Sequence, residues 1–527
     1  MLKAFARLVA GGKPKTSCPN LPPELIGHAQ RRETAPLVHW LSEALKRSGD
    51  APELPALLDV VRQAGWHEHD VVKLTVAAAH RAGRWGLLLE WAAATFDGAN
   101  YRDADLCLMA AQALYELNRI DEAEQAMSAA LSRFPSLAER ADGLRLAAAI
   151  AYAVNRIETA HGWIAQLRRQ FPQQADNGLS LSICFEFGDE SAVDEILRAL
   201  TAAPAGDAMD EIACAVVALA REDYAAGFAR FEKRFALADA TKFVNGALFD
   251  RPRWHGEPLA GRSVLVAAEQ GLGDTVMMAR YLPLLREKGA GAVMLEAQGE
   301  AAPLLQASFP DVAVVERRMG AVPSAPTFDL WVGMMSLPHL FGTTAETVPA
   351  RAGYLRVPQE SAAYWRQRVA ELAPPGRPRI GLCWSGRRIH RADRRRSLPV
   401  EAAFAHLASL PAVFFAVQKE VPQQHPPNLI DVADELVTLA DTAALIEAMD
   451  LVVTIDSAPA HLAGALGKEC WLMLPYRYEW RWGISGEKNR WYDAVRIFRQ
   501  GRQGDWGTVL QQVFAARLPA WIAERGR

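Results

Sequence analysis

The stretch DTAALIEAMDLVVTIDSAPAHLAGALGKECWLMLP, residues 441–475, decides the fold class of the second half of the chain. It contains two apolar strands, LVVTID (451–456) and CWLMLP (470–475), with a helix-forming segment between them. Strands that are apolar throughout and alternate with helices are typical of a parallel sheet that helices cover on both faces. The stretch therefore predicts an α/β unit.

The turn after the first of these strands carries the string Asp456-Ser457-Ala458-Pro459-Ala460-His461. Ser457 is a candidate helix cap, and Pro459 suits the first turn of a helix. Exposed amides at such a helix N-terminus would bind a diphosphate or sugar hydroxyls. The alternative is that Asp456 or Ser457 only caps the helix and that His461 is a core histidine.

Further apolar strands alternate with helical segments upstream, at residues 263–268, 292–297, 329–334, 379–384 and 412–417. A Pro/Gly-rich joint at Ala373–Arg379 divides this half of the chain into two α/β units of similar size. We expect two doubly wound units that face each other across a cleft, with the ligand at the carboxyl ends of their strands.

The first half of the chain, from about residue 35 to residue 240, is rich in Ala and Leu and repeats itself. Asn118-Arg119-Ile120 recurs as Asn155-Arg156-Ile157, and Phe134-Pro135 recurs as Phe171-Pro172, both at an offset of 37 residues. Weaker copies lie around Gly83, around Gly188 and at residues 221–235. This period predicts a solenoid of paired helices, with Asn118 and Asn155 at equivalent turns. A generic helical bundle with chance Ala spacing is the alternative.

Composition excludes several functional classes. The chain has 527 residues and a net charge of −3, so it lacks the basic excess expected of a nucleic-acid-binding protein. Its longest apolar stretch falls far short of the roughly 20 residues that a membrane span needs. The six cysteines form no CxxC pair, and Arg7 interrupts the short apolar run at the N-terminus. We therefore expect a cytoplasmic protein without stable membrane insertion.

Three more turns carry polar residues at predicted strand ends. The first is Glu269-Gln270-Gly271-Leu272-Gly273-Asp274, where Gly271 and Gly273 let the backbone approach a ligand and Asp274 faces the cleft. A helix cap is the alternative role for Asp274.

The second turn, Trp384-Ser385-Gly386, is followed by six arginines within ten residues: Arg387, Arg388, Arg391, Arg394, Arg395 and Arg396. Such a cluster suggests a phosphorylated ligand that one or two of them contact, the alternative being a solvated basic loop. The third turn is Gln418-Lys419, for which an ordinary polar loop is the alternative.

Taken together, the segments EQGLGD, WSG…RS, QK, ADTAALI, DSAPAHLAGALGK, WRWG and WYDAVRIFRQ resemble bacterial proteins with tetratricopeptide repeats and a glycosyltransferase domain. That domain is similar to the heptosyltransferases, glycosyltransferase family 9, of GT-B fold. Some proteins with this layout are flagellin glycosyltransferases. The predicted domains are an N-terminal tail (1–34), the helical repeats (35–240), an N-terminal Rossmann-like unit (254–373) and a nucleotide-sugar-binding unit with a C-terminal helix (379–527).

The resemblance implies roles for individual residues. Asp274 matches the catalytic base, and Arg396 matches the basic residue that grips the donor phosphates, with Arg in place of Lys. Asp456, Ser457 and His461 match the string that holds the nucleotide sugar, although Ser457-Ala458 stands where heptosyltransferases usually carry Thr-Gly. The full predicted donor-binding set is Gly271, Gly273, Trp384, Ser385, Gly386, Arg396, Gln418, Lys419, Asp456, Ser457, Ala458 and His461.

The resulting expectation is an inverting transferase that needs neither metal nor cofactor. It would move a sugar from a nucleotide sugar to Ser or Thr hydroxyls of a protein such as flagellin, which the repeats would recruit. Three alternatives stay open. They are a transferase for lipopolysaccharide or the cell envelope, a non-catalytic adaptor with a decayed transferase domain, and a sensor of sugar nucleotides.

Overall fold

The computed structural model of the chain describes residues 21–48, 54–95, 103–202, 207–237, 249–318, 327–386, 393–477 and 479–525. It divides into two compact units, Met1–Asp176 and Asn177–Arg527. Within the described ranges, no helix combines the length and the apolar character that crossing a membrane requires.

The first unit is helical. Its helices are α1 (Pro23–Gln30), α2 (Thr34–Ser48), α3 (Leu54–Gln63), α4 (Glu68–Arg81), α5 (Trp85–Thr95), α6 (Ala104–Glu116), α7 (Ile120–Arg133), α8 (Ala141–Ala153) and α9 (Ile157–Gln170). Helix α1 lies within the segment predicted as a tail, but it is packed against the other helices. Leu25 and Ala29 are buried, and the Trp66 indole donates a hydrogen bond to the Ala29 carbonyl at 2.9 Å.

The same left-handed turn recurs between paired helices. Asn118 (φ 60°) joins α6 to α7, and Asn155 (φ 65°) joins α8 to α9, so the prediction of equivalent turns is confirmed. Gly83, Gly188 and Glu222 also have positive φ at turns between helices. Successive turns are therefore 35, 37, 33 and 34 residues apart, which is the spacing of repeated helical hairpins.

The turn at Asn155 gives a stability prediction. We expect Asn155→Val to lower the free energy of unfolding by about 1–2 kcal/mol, because a β-branched residue is strained at φ 65°. Asn155→Gly should retain more stability than Asn155→Val, because both remove the side-chain amide and only glycine accepts this conformation freely. Denaturant unfolding of the two variants measures the difference, and equal losses would contradict a backbone origin.

The second unit begins with four more helices, α10 (Asn177–Phe187), α11 (Glu190–Ala202), α12 (Ala208–Ala220) and α13 (Tyr224–Phe231). They belong to the same compact unit as the sheets, although the repeats were predicted to form a domain that extends to residue 240. A buried ion pair is one of the contacts that join these helices to the first sheet. Arg234, just after α13, donates two hydrogen bonds to the Glu269 carboxylate at 2.6 and 2.9 Å, with both side chains almost fully buried.

The first sheet contains four parallel strands in the order β3-β2-β1-β4. The strands are β1 (Ser263–Ala267), β2 (Ala292–Ala297), β3 (Val312–Glu316) and β4 (Leu330–Gly333). The accompanying helices are α14 (Leu272–Met278), α15 (Leu282–Glu287), α16 (Ala302–Ser308) and α17 (Leu337–Leu340), and α18 (Gln359–Leu372) leads to the second sheet.

The second sheet contains six parallel strands in the order β10-β9-β8-β5-β6-β7. Its strands are β5 (Arg379–Leu382), β6 (Val413–Ala416), β7 (Leu429–Ile430), β8 (Leu451–Ile455), β9 (Cys470–Leu474) and β10 (Val495–Arg499). The helices are α19 (Asp393–Arg396), α20 (Val400–Leu407), α21 (Leu439–Glu447), α22 (Ala458–Leu466), α23 (Trp506–Leu510) and α24 (Leu518–Arg525), with a π-helical segment at Gln511–Arg517.

The predicted fold class is confirmed, in that a helical region precedes two α/β units, each with a parallel sheet. All seven predicted strands are present, and β3, β7 and β10 are additional. The strand order reverses beside β1 in the first sheet and between β5 and β8 in the second. Ligands of open α/β sheets bind at such switch points. The turns after β1, β5 and β8 carry EQGLGD, WSG and DSAPAH, so three of the four predicted motifs lie at switch points.

Candidate active site

Helices α14 and α22 bring the turn after β1 against the turn after β8. The contact depends on Gly273, because a Cβ atom there would lie 2.6 Å from Cδ2 and 3.1 Å from Nε2 of His461. The glycine was predicted to let backbone approach a ligand, and the close approach seen here is to an imidazole. Two predicted site residues from different sheets are therefore in direct contact.

His461 is buried and most of its surroundings are aromatic. Its Nδ1 lies 3.0 Å from the Tyr492 hydroxyl, and its ring centroid lies 4.9 Å from that of Trp482. Burial, together with the nearby charges of Arg481, Arg280 and Arg396, holds the pKa of His461 well below its usual value. The imidazole is therefore neutral at pH 7 and acts as a packing and hydrogen-bonding group.

Asp274 is the third residue of α14, and each of its carboxylate oxygens has a partner. Oδ2 accepts a hydrogen bond from the Gly271 amide at 2.9 Å, which is one of the two bonds of a capping box, since Gly271 has no side chain to form the other. Oδ1 accepts from the Nε of Arg481 at 2.8 Å and from the Nη2 of the same guanidinium. Asp274 thus has the capping contact given as its alternative role and, in addition, an ion pair. Its side chain is 14% exposed.

Arg481 and Glu479 belong to the site but were not predicted as site residues. Arg481 donates to the Gln270 side chain and to Glu479, both at 2.7 Å, and its carbonyl accepts from the Asn489 amide at 2.8 Å. Desolvation raises the pKa of Glu479 to about 7, and the charges of Asp456 and Asp274 contribute. The sequence signal was an arginine between two tryptophans in WRWG, which contributed only to the resemblance.

Asp456 links the turn after β8 to two other loops. Its Oδ1 accepts a hydrogen bond from the Trp482 indole at 2.8 Å, and its carbonyl accepts from Nη1 of Arg396 at 3.0 Å. Arg396 and Trp482 are thereby both connected to one buried aspartate.

Ser457 is the residue before α22, but its hydroxyl does not cap the helix. The hydroxyl donates to the Ile455 carbonyl at 3.2 Å and lies 3.4 Å from the Cys383 sulfur. The predicted side-chain cap is therefore wrong, because the hydroxyl turns back toward the strand. Ala458 is the first helical residue, and Pro459 follows in the first turn as predicted.

The turn after β5 is held by Gln418 rather than left open. The Gln418 Oε1 accepts from the amides of Trp384 at 2.8 Å and Ser385 at 3.2 Å, and its Nε2 donates to the Ser385 hydroxyl at 2.9 Å. The Trp384 ring packs edge-on against Phe404 in the core. Lys419 is exposed and donates to the Val437 carbonyl at 3.4 Å.

Gly386 and Arg396 are packed tightly together. A Cβ atom on Gly386 would lie 2.5 Å from Nη2 of Arg396 and 2.3 Å from Oδ1 of Asp393, so any larger residue would displace these two side chains. Arg396 also donates to Asp393 at 3.3 Å. The neighbouring Arg395 pairs instead with Glu186 of α10 at 2.9 and 3.0 Å, with both side chains buried. Arg387, Arg388, His390 and Arg391 lie outside the described residues.

A comparison with protein families matches residues 416–470 to glycosyltransferase family 9 (heptosyltransferase). The match contains β8, the turn with Asp456 and Ser457, and His461 in α22, and it confirms the resemblance of this part of the chain to the heptosyltransferase family. Protein FlbA of Caulobacter vibrioides is 30% identical over 338 residues, which cover 59% of this chain and 55% of FlbA. The chain thus spans about half the length of this curated relative.

Two solved structures are also similar over about half of the chain. The glycosyl transferase family 9 protein of Veillonella parvula has 11% identity and a TM-score of 0.34, and covers 47% of this chain and 88% of that one. The ADP-heptose lps heptosyltransferase II of E. coli has 13% identity and a TM-score of 0.32. The similar region covers 48% of this chain and 99% of that one.

Proposed function

We propose that this chain, which carries a glycosyltransferase family 9 segment, transfers a sugar from a nucleotide sugar to a hydroxyl group of an acceptor. The observation that carries the proposal is the packing of α14 on α22. In this packing the Gly273 backbone, next to Asp274, lies against His461 of α22, the helix that follows the turn with Asp456, at the switch points of both sheets.

The proposed reaction is a single displacement with inversion at the anomeric carbon. The acceptor oxygen forms a bond to that carbon, and the bond from the carbon to the donor phosphate breaks. The electron pair of the broken bond leaves with the nucleotide. Asp274 takes the proton of the acceptor hydroxyl, which is the role of a general base.

Positive charge for the departing phosphate comes from the chain itself in this proposal. Arg396 lies beside the turn after β8, where it already contacts the Asp456 carbonyl. The N-terminus of α22, a nine-residue helix, adds amide donors and the positive end of its dipole. These groups can stabilise a leaving diphosphate without a metal ion.

The proposed acceptor is a protein, with Ser or Thr side chains as the sites of transfer. Repeated helical hairpins form extended surfaces that suit an extended or helical protein partner. Flagellin is our candidate because proteins that resemble this chain in layout modify it. We place the reaction in the cytoplasm, consistent with the five described cysteines, which are all buried thiols.

Deletion of the gene tests this assignment. We expect flagellin from the deletion strain to be lighter than that of the parent by whole multiples of one sugar mass, as measured by intact mass spectrometry. The full chain should restore the mass, and the Asp274→Asn chain should not. An unchanged flagellin mass would exclude flagellin as the acceptor. Lipopolysaccharide shortened by one sugar in the same strain would favour the cell-envelope alternative.

A further inference from the structure

We propose that Arg481 is a positioning residue for the catalytic base, an inference that rests on the proposed function of Asp274. In this role, Arg481 orients the Asp274 carboxylate while the acceptor hydroxyl approaches. Arg481 does not touch the reacting atoms, so it acts through Asp274.

The geometry fixes the carboxylate from two sides. The Gly271 amide holds Oδ2 from within α14, and Nε and Nη2 of Arg481 hold Oδ1 from the loop after β9. Two contacts on different oxygens define the plane of the carboxylate. The planar guanidinium suits this task because its donors project in a fixed fork.

Arg481 is itself held in place by several groups. Glu479 and Gln270 accept from its terminal nitrogens, and the guanidinium carbon lies 4.5 Å from the centroid of the Trp480 ring. Asn489 donates to its carbonyl. With 8% of its side chain exposed, Arg481 has little freedom to reorient. Such support is what a precise catalytic geometry requires.

The charge balance around Arg481 predicts what its removal would do. The ionisable groups that face this region from the packed elements are Asp274, Asp456 and Glu479 on the acidic side and Arg280, Arg396 and the neutral His461 on the other. Without Arg481, three carboxylates lose the cation that they share. Carboxylates that crowd one another retain a proton to higher pH. The acid limb of the pH–rate profile should therefore move to higher pH.

The test compares Arg481→Gln and Arg481→Lys in the full chain, with purified acceptor protein and the nucleotide sugar that binds best among ADP-, UDP- and GDP-linked sugars. At pH 7 we expect Arg481→Gln to lower kcat by about 10²-fold, since a slight misplacement of the base has effects of that size. The KM for the donor should change little. The acid limb of the pH–rate profile should move to higher pH for Arg481→Gln. It should stay near the parent position for Arg481→Lys, which retains the charge.

Arg379→Gln is the matched control. Arg379 forms a similar pair with Asp450, with N–O distances of 3.0 and 3.2 Å, at the start of β5 and so at the opposite end of the same sheet. The control should keep the parent kcat and pH profile.

Several outcomes would overturn the inference. A parent-like pH profile for Arg481→Gln would reduce Arg481 to a structural residue, and a raised donor KM with unchanged kcat would make it a phosphate ligand. If Arg481→Gln does not fold, Glu479→Gln is the deciding variant. Loss of that carboxylate should move the acid limb of the pH–rate profile to lower pH. An unchanged acid limb would count against the inference. Full transfer by Asp274→Asn would instead remove Asp274 as the base, and no transfer by the parent chain with any of these donors would refute the proposed function itself.

Discussion

The Asp274→Asn variant should lose transfer activity by about 10²–10⁴-fold, the range typical of a lost general base. Asparagine keeps the size of the side chain, and its Oδ1 can still accept from the Gly271 amide, so the capping contact of α14 persists. Donor affinity should persist too, because Arg396 and the turn after β8 are untouched. The measurement is the amount of sugar added to the acceptor protein, with thermal melting as the folding control.

The chain offers a matched control for the cap. Asp441 occupies the third position of α21, and its Oδ2 accepts from the Thr438 amide at 2.7 Å, the same bond that Asp274 accepts from Gly271, within a complete capping box. Asp441→Asn makes the same chemical change at an equivalent position that we assign only to capping, so transfer should stay near the parent level. Equal activity losses in both variants would trace the effect to helix capping and remove Asp274 as the base.

The Arg396→Ala variant should bind the donor more weakly by about 1.5–3 kcal/mol, which is the usual contribution of a hydrogen bond to a charged group. This corresponds to roughly a 10- to 150-fold higher Kd. The variant also removes the bond to the Asp456 carbonyl, so the turn after β8 loses one of its supports. Calorimetry with ADP-, UDP- and GDP-linked sugars measures the effect.

Two companion variants separate a specific contact from a general loss of charge. Arg394→Ala removes the same charge from an exposed position of α19, and we expect only a small change in donor affinity. Ser457→Ala should also have a small effect, because the hydroxyl bonds to the Ile455 carbonyl rather than to the helix amides. If Arg396→Ala bound the true donor with parent affinity, the arginine cluster would be only a solvated loop.

The seven predicted strands were accessible from the sequence because each is a continuous apolar run between helix-forming segments. The strands that were missed lack this signal. Strand β7 has only two residues, and β3 is partly exposed along the edge of its sheet. Strand β10 contains Arg496 and Arg499, which interrupt its apolar pattern.

The site was predictable only where its residues are adjacent in sequence. The turns after β1 and β8 were identified from their own residues, and the structure places Gly273 against His461. Partners that are distant along the chain were not accessible. Arg481 lies 207 residues from Asp274, and no local pattern joins them. Gln418 was predicted to contact the donor. The sequence did not reveal that its side chain also supports the Trp384–Ser385 backbone.

The buried pair between Arg234 and Glu269 limits how proteins of this layout can be recombined. A chimera that exchanges acceptor specificity by replacing every repeat up to residue 240 would discard Arg234 and leave the Glu269 carboxylate buried without its cation, which costs about 3–5 kcal/mol. The same junction would discard Glu186 and leave Arg395 without its carboxylate. A junction after Asp176 keeps both pairs. A chimera should therefore take the last two hairpins, α10–α11 and α12–α13, from the same parent as the two sheets.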